Sequence, residues 1–270
     1  MEFEVELYSS LFSSVKASNC GQFVLKQSKR NLNTEIEVLH KLQKCIYIPK
    51  LIDVINEHTI VIESLKNVSS NEVSLNLVGV SDSINDYIKS NHVDMSLMTF
   101  DASYISKELS SLVDEIYLEK NREVSESIFQ LKSIFYRLSS IYKKLKKQSF
   151  EKNLQHGDIH IGNVMKRGND IVLIDWEDAI WGHNGINQHY VQHDVTMNKL
   201  RYNIQICCEE VFFAIRCISL FIIDFLRFDC VSFLFRYTPQ LIHCVNNLSG
   251  KCEDIEMNFY GHRGVSVNKY

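Results

Sequence analysis

Proline and glycine are scarce in this chain, with 2 and 10 copies among 270 residues. This scarcity excludes a collagen-like repeat and a Pro/Gly-rich low-complexity chain. An excess of either charge is also missing, because 29 Lys and Arg face 33 Asp and Glu and leave a formal net charge of −4. A protein that holds nucleic acid through its phosphates usually carries a basic excess, so no nucleic-acid partner is expected. The apolar fraction of 45% is typical of a packed globular core.

Eight cysteines are present, but no two of them form a C-x-x-C pair. Most lie in apolar sequence that looks helical, so buried reduced thiols are expected rather than a zinc site or a disulfide framework. The segment from Met1 to Glu6 alternates acidic and apolar side chains, without the basic start and apolar run of a secretion signal. Both observations predict a cytoplasmic protein.

A long uninterrupted apolar run is missing as well. The best candidate extends from Val211 to Phe235, and it is interrupted by charged residues: Arg216, Asp224, Arg227 and Asp229. Each of these charges is costly at the centre of a bilayer. The segment therefore predicts a helix, or a pair of helices, in a protein core and not a membrane span.

The first sixty residues have the pattern of strands with one helix. Strand-like runs are followed by turns and breaks, and they are Phe3–Leu7, Phe23–Lys26, Leu51–Ile55 and Thr59–Ile62. Between the second and third runs the apolar period becomes helical. A helix is predicted from a cap at Thr34 to the Ile48-Pro49 pair, because proline disfavours a helical residue before it.

Helical patterns dominate the remainder. The clearest one is a three-and-four repeat of apolar residues: Ile128, Leu131, Ile134, Phe135, Leu138, Ile141, Tyr142 and Leu145. One hairpin interrupts the helices, with predicted strands at Ile159–Met165 and Ile171–Ile174, and the chain is again helical from about Leu200. The element order predicts an α+β chain with a small lobe at 1–62, a connector at 63–67 and a larger helical lobe at 68–270.

Residues able to carry chemistry concentrate around that hairpin. Asp158 lies five residues before Asn163 on a loop that enters a strand, and Asp175 ends an almost wholly apolar strand. A buried acid needs a compensating charge, and Mg²⁺ prefers a few protein oxygens completed by phosphate and water. Asn163 and Asp175 are therefore candidate magnesium ligands. Asp158 is the candidate to accept the proton of an attacking hydroxyl, as the phosphoryl-transfer template requires.

The segment His156–Asn163 resembles the His-Gly-Asp-x-His-x-x-Asn loop of the aminoglycoside phosphotransferase and choline kinase family. Ile174–Ala179 resembles that family's metal-binding segment. The resemblance implies a bilobal protein-kinase-like fold, with a small N-terminal antiparallel sheet plus one helix and a larger, mostly helical C-terminal lobe. It also implies Asp158 as the catalytic acid/base and Asn163 and Asp175 as magnesium ligands.

The resemblance extends to the N-terminal part. It implies that Lys26, at the end of a strand, contacts the nucleotide phosphates and that Glu35, at the start of the helix, pairs with this lysine. Glu37, on another side of the helix, is the alternative partner. The connector would lie against the adenine ring and offer backbone groups at Glu63 and Leu65.

Two departures from the family pattern stand out. No G-x-G-x-x-G loop precedes Lys26, so the serine-rich turn around Ser9 to Ser14 would have to cover the phosphates. After Asp178 the chain lacks a Gly-x-Pro-like turn and carries several histidines that are expected to be solvated: His183, His189 and His193. Nearby acidic side chains either meet a cationic acceptor or form solvated surface: Glu177, Asp178, Asp194, Glu209 and Glu210.

Together these features predict a phosphotransferase that uses ATP or GTP with Mg²⁺ and acts on a hydroxyl of a small molecule. The acceptor classes are amino sugars, sugars and amino alcohols. Transfer to a protein Ser or Thr is not expected, because no Ala-Pro-Glu signature is present. The missing glycine loop keeps a second hypothesis open, a kinase-fold regulatory module that binds nucleotide without turnover.

Overall fold

The computed structural model describes residues 2–9, 13–68, 77–119, 126–145, 152–190, 193–227 and 231–261. The chain divides into two compact units, of which the first comprises Met1–Met98 and Asn153–Trp181 and the second Thr99–Lys152 and Gly182–Tyr270. The strands are β1 Phe3–Ser9, β2 Ser13–Ser18, β3 Phe23–Ser28, β4 Leu51–Asn56, β5 Thr59–Glu63, β6 Lys66–Asn67, β7 Lys152–Gln155, β8 Val164–Arg167, β9 Asp170–Leu173 and β10 Ile180–His183. The helices are α1 Asn33–Lys41, α2 Leu77–Ser90, α3 Leu109–Glu119, α4 Glu126–Leu145, α5 Gly185–Tyr190, α6 His193–Arg201, α7 Cys208–Arg227 and α8 Val231–Gly261. The predicted division into a small lobe and a larger lobe joined by a connector at residues 63–67 stays a prediction.

A five-stranded antiparallel sheet forms the N-terminal part of the first unit, in the order β1-β2-β3-β5-β4. The central strand β3 carries Lys26, which is opposite Val15 on β2 and Ile60 on β5. One helix, α1, follows β3 and buries Val38 and Leu39. This arrangement confirms the predicted small antiparallel sheet with one helix.

The start of α1 differs from the prediction. The helix begins at Asn33, and Leu32 occupies its N-cap position without a side-chain hydrogen bond. Leu32 is fully buried, and its N–H donates to the Glu57 carbonyl at 2.6 Å. The predicted cap at Thr34 is wrong because these tertiary contacts of Leu32, not a local capping side chain, determine where the helix starts.

The end of α1 is also earlier than predicted, at Lys41 instead of at the Ile48-Pro49 pair. The carbonyls of Ile46 and Ile48 accept hydrogen bonds from the Arg167 guanidinium, and the Tyr47 carbonyl accepts one from the Leu173 N–H. In a helix these carbonyls would accept hydrogen bonds from N–H groups of the next turn. Since they accept from Arg167 and Leu173 instead, the helix ends before this segment.

The hairpin of the first unit is formed by β8 and β9, and β6 pairs with β8 on the other side. Its second strand, Asp170–Leu173, is shifted by one residue from the predicted Ile171–Ile174, and the first strand begins at Val164 and not at Ile159. The preceding residues Ile161–Asn163 form a 3-10 turn, which the His160 side chain caps by accepting a hydrogen bond from the Gly162 N–H. The polar loop thus turns before the strand starts.

In the second unit, the predicted apolar stripe of α4 is confirmed. All eight of its residues, from Ile128 to Leu145, are buried. Burying a large apolar side chain contributes about 1.5–3 kcal/mol each, so this stripe is a main source of the unit's core. Tyr142 also donates from its hydroxyl to the Phe100 carbonyl at 2.8 Å and meets the Phe212 ring edge-on.

The apolar segment from Val211 onward forms a helix pair, α7 and α8, as predicted. Among the described residues, no helix is both long and apolar enough to cross a membrane. The expectation of buried thiols is only partly correct, because Cys45 and Cys252 are buried whereas Cys20 and Cys207 are exposed.

The histidine expectation is wrong for His183. Its ring is buried, stacks on Phe212 with centroids 4.2 Å apart and accepts a hydrogen bond from the Gly185 N–H. Aromatic packing overrides the polar character of the neighbouring sequence. The side chains of His189 and His193 lie outside the described residues.

Candidate active site

Lys26 lies at the centre of a charged cluster in the first unit. Its Nζ is 2.6 Å from Glu35 Oε2 and 2.6 Å from Asp175 Oδ1. Burial by itself would lower the pKa of Lys26, but the charges of Glu35, Asp175 and Glu177 outweigh it and raise that pKa above its ordinary value. Lys26 is therefore a firmly charged ammonium group held by two strong, charge-assisted contacts.

Glu35, and not Glu37, is the helix residue that contacts Lys26. Glu35 is buried, and its burial together with the nearby Asp175 charge raises its pKa against the opposing effect of Lys26. Glu37 instead accepts a hydrogen bond from the Ser96 N–H. The two acids differ because residues two apart on a helix face different directions.

Asp175 adopts the left-handed backbone conformation, with φ of +68°. For a residue with a side chain this conformation costs of order 1–3 kcal/mol, and such strained residues cluster at functional sites. The residue before it explains how it is held. The Ile174 N–H donates to the Asn163 carbonyl at 3.0 Å, and the Ile174 carbonyl accepts from His156 Nε2 at 2.8 Å.

The loop that carries Asp158 and Asn163 is internally bonded. Asn163 Nδ2 donates to the Asp158 carbonyl at 2.9 Å and to Asp158 Oδ2 at 3.2 Å. His160 Nε2 lies 3.3 Å from Asp158 Oδ2. The carboxylate of Asp158 is thus oriented from two sides, and the amide nitrogen of Asn163 is the end of that side chain that faces it.

His156 joins this loop to the segment of Asp175. Its Nδ1 accepts from the Asp158 N–H at 3.3 Å while its Nε2 donates to the Ile174 carbonyl, a pattern that belongs to the neutral ring protonated at Nε2. Burial lowers the pKa of His156 and favours the same neutral form. The ring also packs on Trp176, with centroids 4.5 Å apart.

Two residues of the cluster, Arg30 and Glu177, were not identified as a pair from the sequence. Arg30 Nη1 lies 3.1 Å from Glu177 Oε1 and 3.8 Å from Asp178 Oδ2. Burial, with the charges of Asp175 and Asp178, raises the pKa of Glu177 to about 6. Arg30 and Glu177 are 147 residues apart in the sequence, and no local periodicity connects residues so distant from each other.

These pairs also bear on the acids considered for a cationic acceptor. Glu177 is engaged by Arg30, and in the second unit the buried Glu210 pairs with Lys199 at 2.6 Å. Both carboxylates are therefore already balanced by cations of this chain. The Asp194 side chain lies outside the described residues.

Three carboxylates of the cluster, those of Glu35, Asp175 and Glu177, lie close enough together to suggest a metal site. The charged amine of Lys26 already contacts all three, with Glu177 Oε2 at 3.7 Å. A cation in that triad would repel the lysine, so the triad holds Lys26 itself. Asn163 and Asp175 offer an amide oxygen and a carboxylate, the kinds of ligand that Mg²⁺ prefers, and the Ile174 N–H joins their segments by donating to the Asn163 carbonyl.

The connector residues predicted to meet a nucleotide base lie beside the sheet. Glu63 ends β5, and its N–H donates to the Lys50 carbonyl at 3.0 Å. Ser64 N–H donates to the Gln22 carbonyl at 2.9 Å, and Leu65 is half-buried between β5 and β6. Of the serine-rich turn, residues 10–12 lie outside the described part of the chain.

Comparison with known proteins identifies the fold. A model of the phosphotransferase enzyme family matches residues 106–184, which include Asp158, Asn163 and Asp175. No curated protein matches the sequence.

Solved structures match nearly the whole chain. ADP-bound aminoglycoside phosphotransferase APH(2'')-Ib is 15% identical with a TM-score of 0.59, over 92% of this chain and 95% of that one. Choline kinase LicA from Streptococcus pneumoniae is 14% identical with a TM-score of 0.60, over 93% and 94%. A choline/ethanolamine kinase family protein from Mesorhizobium loti is 12% identical with a TM-score of 0.57, over 92% of each chain. The chain thus has the protein-kinase-like fold of these kinases, and the resemblance inferred from the sequence is confirmed.

Proposed function

We propose that this protein is an ATP-dependent phosphotransferase that phosphorylates a hydroxyl group of a small molecule. One observation carries the proposal. The Lys26 ammonium contacts both Glu35 and Asp175, while Ile174 ties the Asp175 segment to the loop of Asp158 and Asn163. These residues come from four separate parts of the sequence, and their types and contacts support a role in phosphoryl transfer.

Lys26 would bind the α- and β-phosphate oxygens of the nucleotide. Glu35 holds the ammonium at 2.6 Å from a buried position, so the lysine is oriented before the nucleotide arrives. Such preorganisation matters because phosphoryl transfer depends mainly on alignment and on neutralising charge. In this scheme the contact between Lys26 and Asp175 is replaced in part by the phosphates.

Asn163 and Asp175 would hold Mg²⁺. Bound Mg²⁺ would supply charge neutralisation on the phosphate oxygens. The Asn163 nitrogen donates to Asp158, so the other end of the amide, its oxygen, is the atom suited to a cation. Asp175 presents a carboxylate whose Oδ1 contacts Lys26, and a carboxylate has a second oxygen for another partner.

Asp158 would accept the proton of the acceptor hydroxyl. A general base must be oriented as well as ionised, and Asn163 and His160 hold Oδ2 of this carboxylate from two sides. The neutral, buried His156 fixes the backbone of Asp158 and adds no positive charge of its own. Asp158 is therefore assigned to proton transfer and Asn163 to the metal.

The proteins of similar fold support the nucleotide and the class of acceptor. Their solved structures include an ADP-bound enzyme, complexes with gentamicin and with streptomycin and ATP, and a complex with AMP-PNP and hygromycin B. Another is a choline kinase. An amino sugar, a sugar or an amino alcohol is accordingly the proposed acceptor, with ATP or GTP as the donor.

The test is acceptor-dependent release of ADP across a panel of amino sugars, amino alcohols and simple sugars, with and without Mg²⁺. Asp158→Asn is expected to lower kcat about 10²–10⁴-fold while ATP binding persists. Asp53→Asn, which neutralises an exposed carboxylate on β4, is the matched control and should keep full turnover.

A thermal-shift measurement with ATP, alone and with Mg²⁺, examines the site independently of the acceptor. Stabilisation that requires Mg²⁺ is expected and should be lost in Asp175→Asn. Binding of ATP with no turnover on any acceptor would favour the regulatory module. Equal turnover by wild type and Asp158→Asn on the true acceptor would refute the assignment of the base.

A further inference from the structure

Arg167, the last residue of β8, connects three separate segments of the first unit. Its Nε donates to Glu63 Oε2 at 3.0 Å and its Nη2 contacts Glu63 Oε1. Its Nη1 donates to the Ile46 carbonyl at 2.9 Å and its Nη2 to the Ile48 carbonyl at 2.9 Å. One guanidinium therefore joins the hairpin, the end of β5 and the loop between α1 and β4.

The contact with Glu63 is stronger than an ordinary surface ion pair. Both side chains are mostly buried, at 25% and 16% exposure, and the two nitrogens meet the two carboxylate oxygens in the paired geometry that arginine alone provides. Burial would raise the pKa of Glu63, but the hydrogen bonds from Arg167 outweigh it and lower that pKa. The carboxylate is thus held charged.

Glu63 is held on its other side as well. Its carboxylate accepts a hydrogen bond from the Lys50 N–H at 2.7 Å, and its own N–H donates to the Lys50 carbonyl at 3.0 Å. Glu63 is at the start of the connector, which the family resemblance implies would lie against the adenine ring of the nucleotide. The backbone carbonyl of Glu63 can keep one orientation toward the base only if Glu63 itself is held in place.

The same loop reaches the metal segment. The Tyr47 carbonyl, between the two that bind Arg167, accepts from the Leu173 N–H at 2.9 Å, and Leu173 is two residues before Asp175. The Ile46–Ile48 loop therefore contacts the proposed base-binding segment through Arg167 and the proposed metal segment through Leu173. The two attachments use different groups, because Arg167 binds the Ile46 and Ile48 carbonyls and Leu173 binds the Tyr47 carbonyl.

We infer that Arg167 is a positioning residue for the purine base, which acts through Glu63 and the connector and does not touch the nucleotide. The inference rests on the proposed function. It requires that Arg167 supports the base end of the nucleotide and not the phosphate end. Loss of the guanidinium fork should weaken binding of ATP and leave binding of a base-free triphosphate unchanged.

The experiment compares Mg²⁺-dependent binding of ATP and of inorganic tripolyphosphate by calorimetry, in the full chain. Arg167→Lys keeps the charge but loses the paired geometry, and the Kd for ATP should rise about tenfold while the Kd for tripolyphosphate stays within about twofold. In turnover assays the KM for ATP should rise with little change in kcat at saturating ATP. Arg236→Lys, at an exposed arginine of α8, is the matched control and should change the Kd of neither ligand.

Glu63→Gln provides a second variant, which keeps the size of the side chain and one of its oxygens. It should reproduce the selective loss of ATP affinity. If Arg167→Lys does not fold, the result for Glu63→Gln tests the inference in its place. Equal weakening of both ligands, or of neither, in the folded variant would overturn the inference while leaving the proposed function intact. Absence of Mg²⁺-dependent binding of either ligand to the wild type would overturn both.

Discussion

Gly157 lies directly against the backbone of Asp178. A Cβ added at position 157 would be only 2.1 Å from the Asp178 carbonyl oxygen. Gly157 also has a φ of +87°, which disfavours any side chain. The loop of Asp158 and the segment of Asp175 can approach each other this closely only with glycine at this position. A close backbone contact therefore holds the loop of Asp158 against the segment that carries Asp175 and Asp178.

Gly157→Ala is expected to lower the free energy of unfolding by about 2–4 kcal/mol, since it adds backbone strain to a steric clash with backbone atoms that cannot yield. Chemical denaturation measures this change. Gly168→Ala is the matched control, because Gly168 has a φ of +63° but open space around it. It should cost only about 1 kcal/mol, and equal costs for the two variants would contradict the clash.

Glu35→Gln should lower the free energy of unfolding by about 1–3 kcal/mol, because a buried, charge-assisted contact with Lys26 is replaced by a weaker one. ATP affinity should fall as well, since Lys26 loses one of the groups that orient it. Glu37→Gln, on the same helix, removes the charge of a half-buried side chain but keeps an oxygen that can accept from the Ser96 N–H, and it should change stability by less than about 0.5 kcal/mol. If the two variants behaved alike, Glu35 would not be the functional partner of Lys26.

Arg30→Gln should raise the concentration of Mg²⁺ needed for half-maximal ATP binding several-fold, with the fold retained. Arg30 balances Glu177, which lies 3.1 Å away and shares the cluster with Asp175. Without that balance, Glu177 competes for Lys26 and disturbs the segment that carries Asp175. The neighbouring exposed residue gives the control Lys29→Gln, which makes the same change of charge; a similar rise there would assign the effect to net charge alone.

His156 predicts a specific dependence of stability on pH. Burial lowers the pKa of His156 below its ordinary 6.5, so the unfolded chain takes up a proton that the folded chain does not. The free energy of unfolding must then decrease as pH falls below about 6.5. Between pH of about 7.5 and about 6, wild type should lose up to about 0.8 kcal/mol more than His156→Gln does.

Denaturant titrations at several pH values measure this difference. The range stops near pH 6 because Glu177, whose pKa is raised to about 6, contributes the opposite trend at lower pH. His40→Gln, at an exposed histidine of α1, is the control and should keep the wild-type slope. Parallel slopes for wild type and His156→Gln would show that the ring does not stay neutral.

Local patterns in the sequence predicted much of the fold. The α4 stripe from Ile128 to Leu145 is buried as its spacing requires, and the strand of Lys26 lies where it is predicted, whereas its neighbour β2 was not predicted. Such patterns are reliable because a helix or a strand repeats its exposure every few residues along the chain. The loop of Asp158 and Asn163 and the strand that precedes Asp175 were recognisable for a similar reason, since their residues lie within short segments of fixed spacing.

The sequence by itself predicted the class of fold, most strands of the N-terminal sheet, the helix α4 and the candidate acids, amide and lysine of the site. Only the tertiary structure decided that Arg30 binds Glu177, that Arg167 binds Glu63, that Leu32 starts α1 and that Asp175 is held in a left-handed conformation. The reason is physical. Each of these features is produced by contacts between segments far apart in the chain, and such contacts leave no periodic trace in the residues around them.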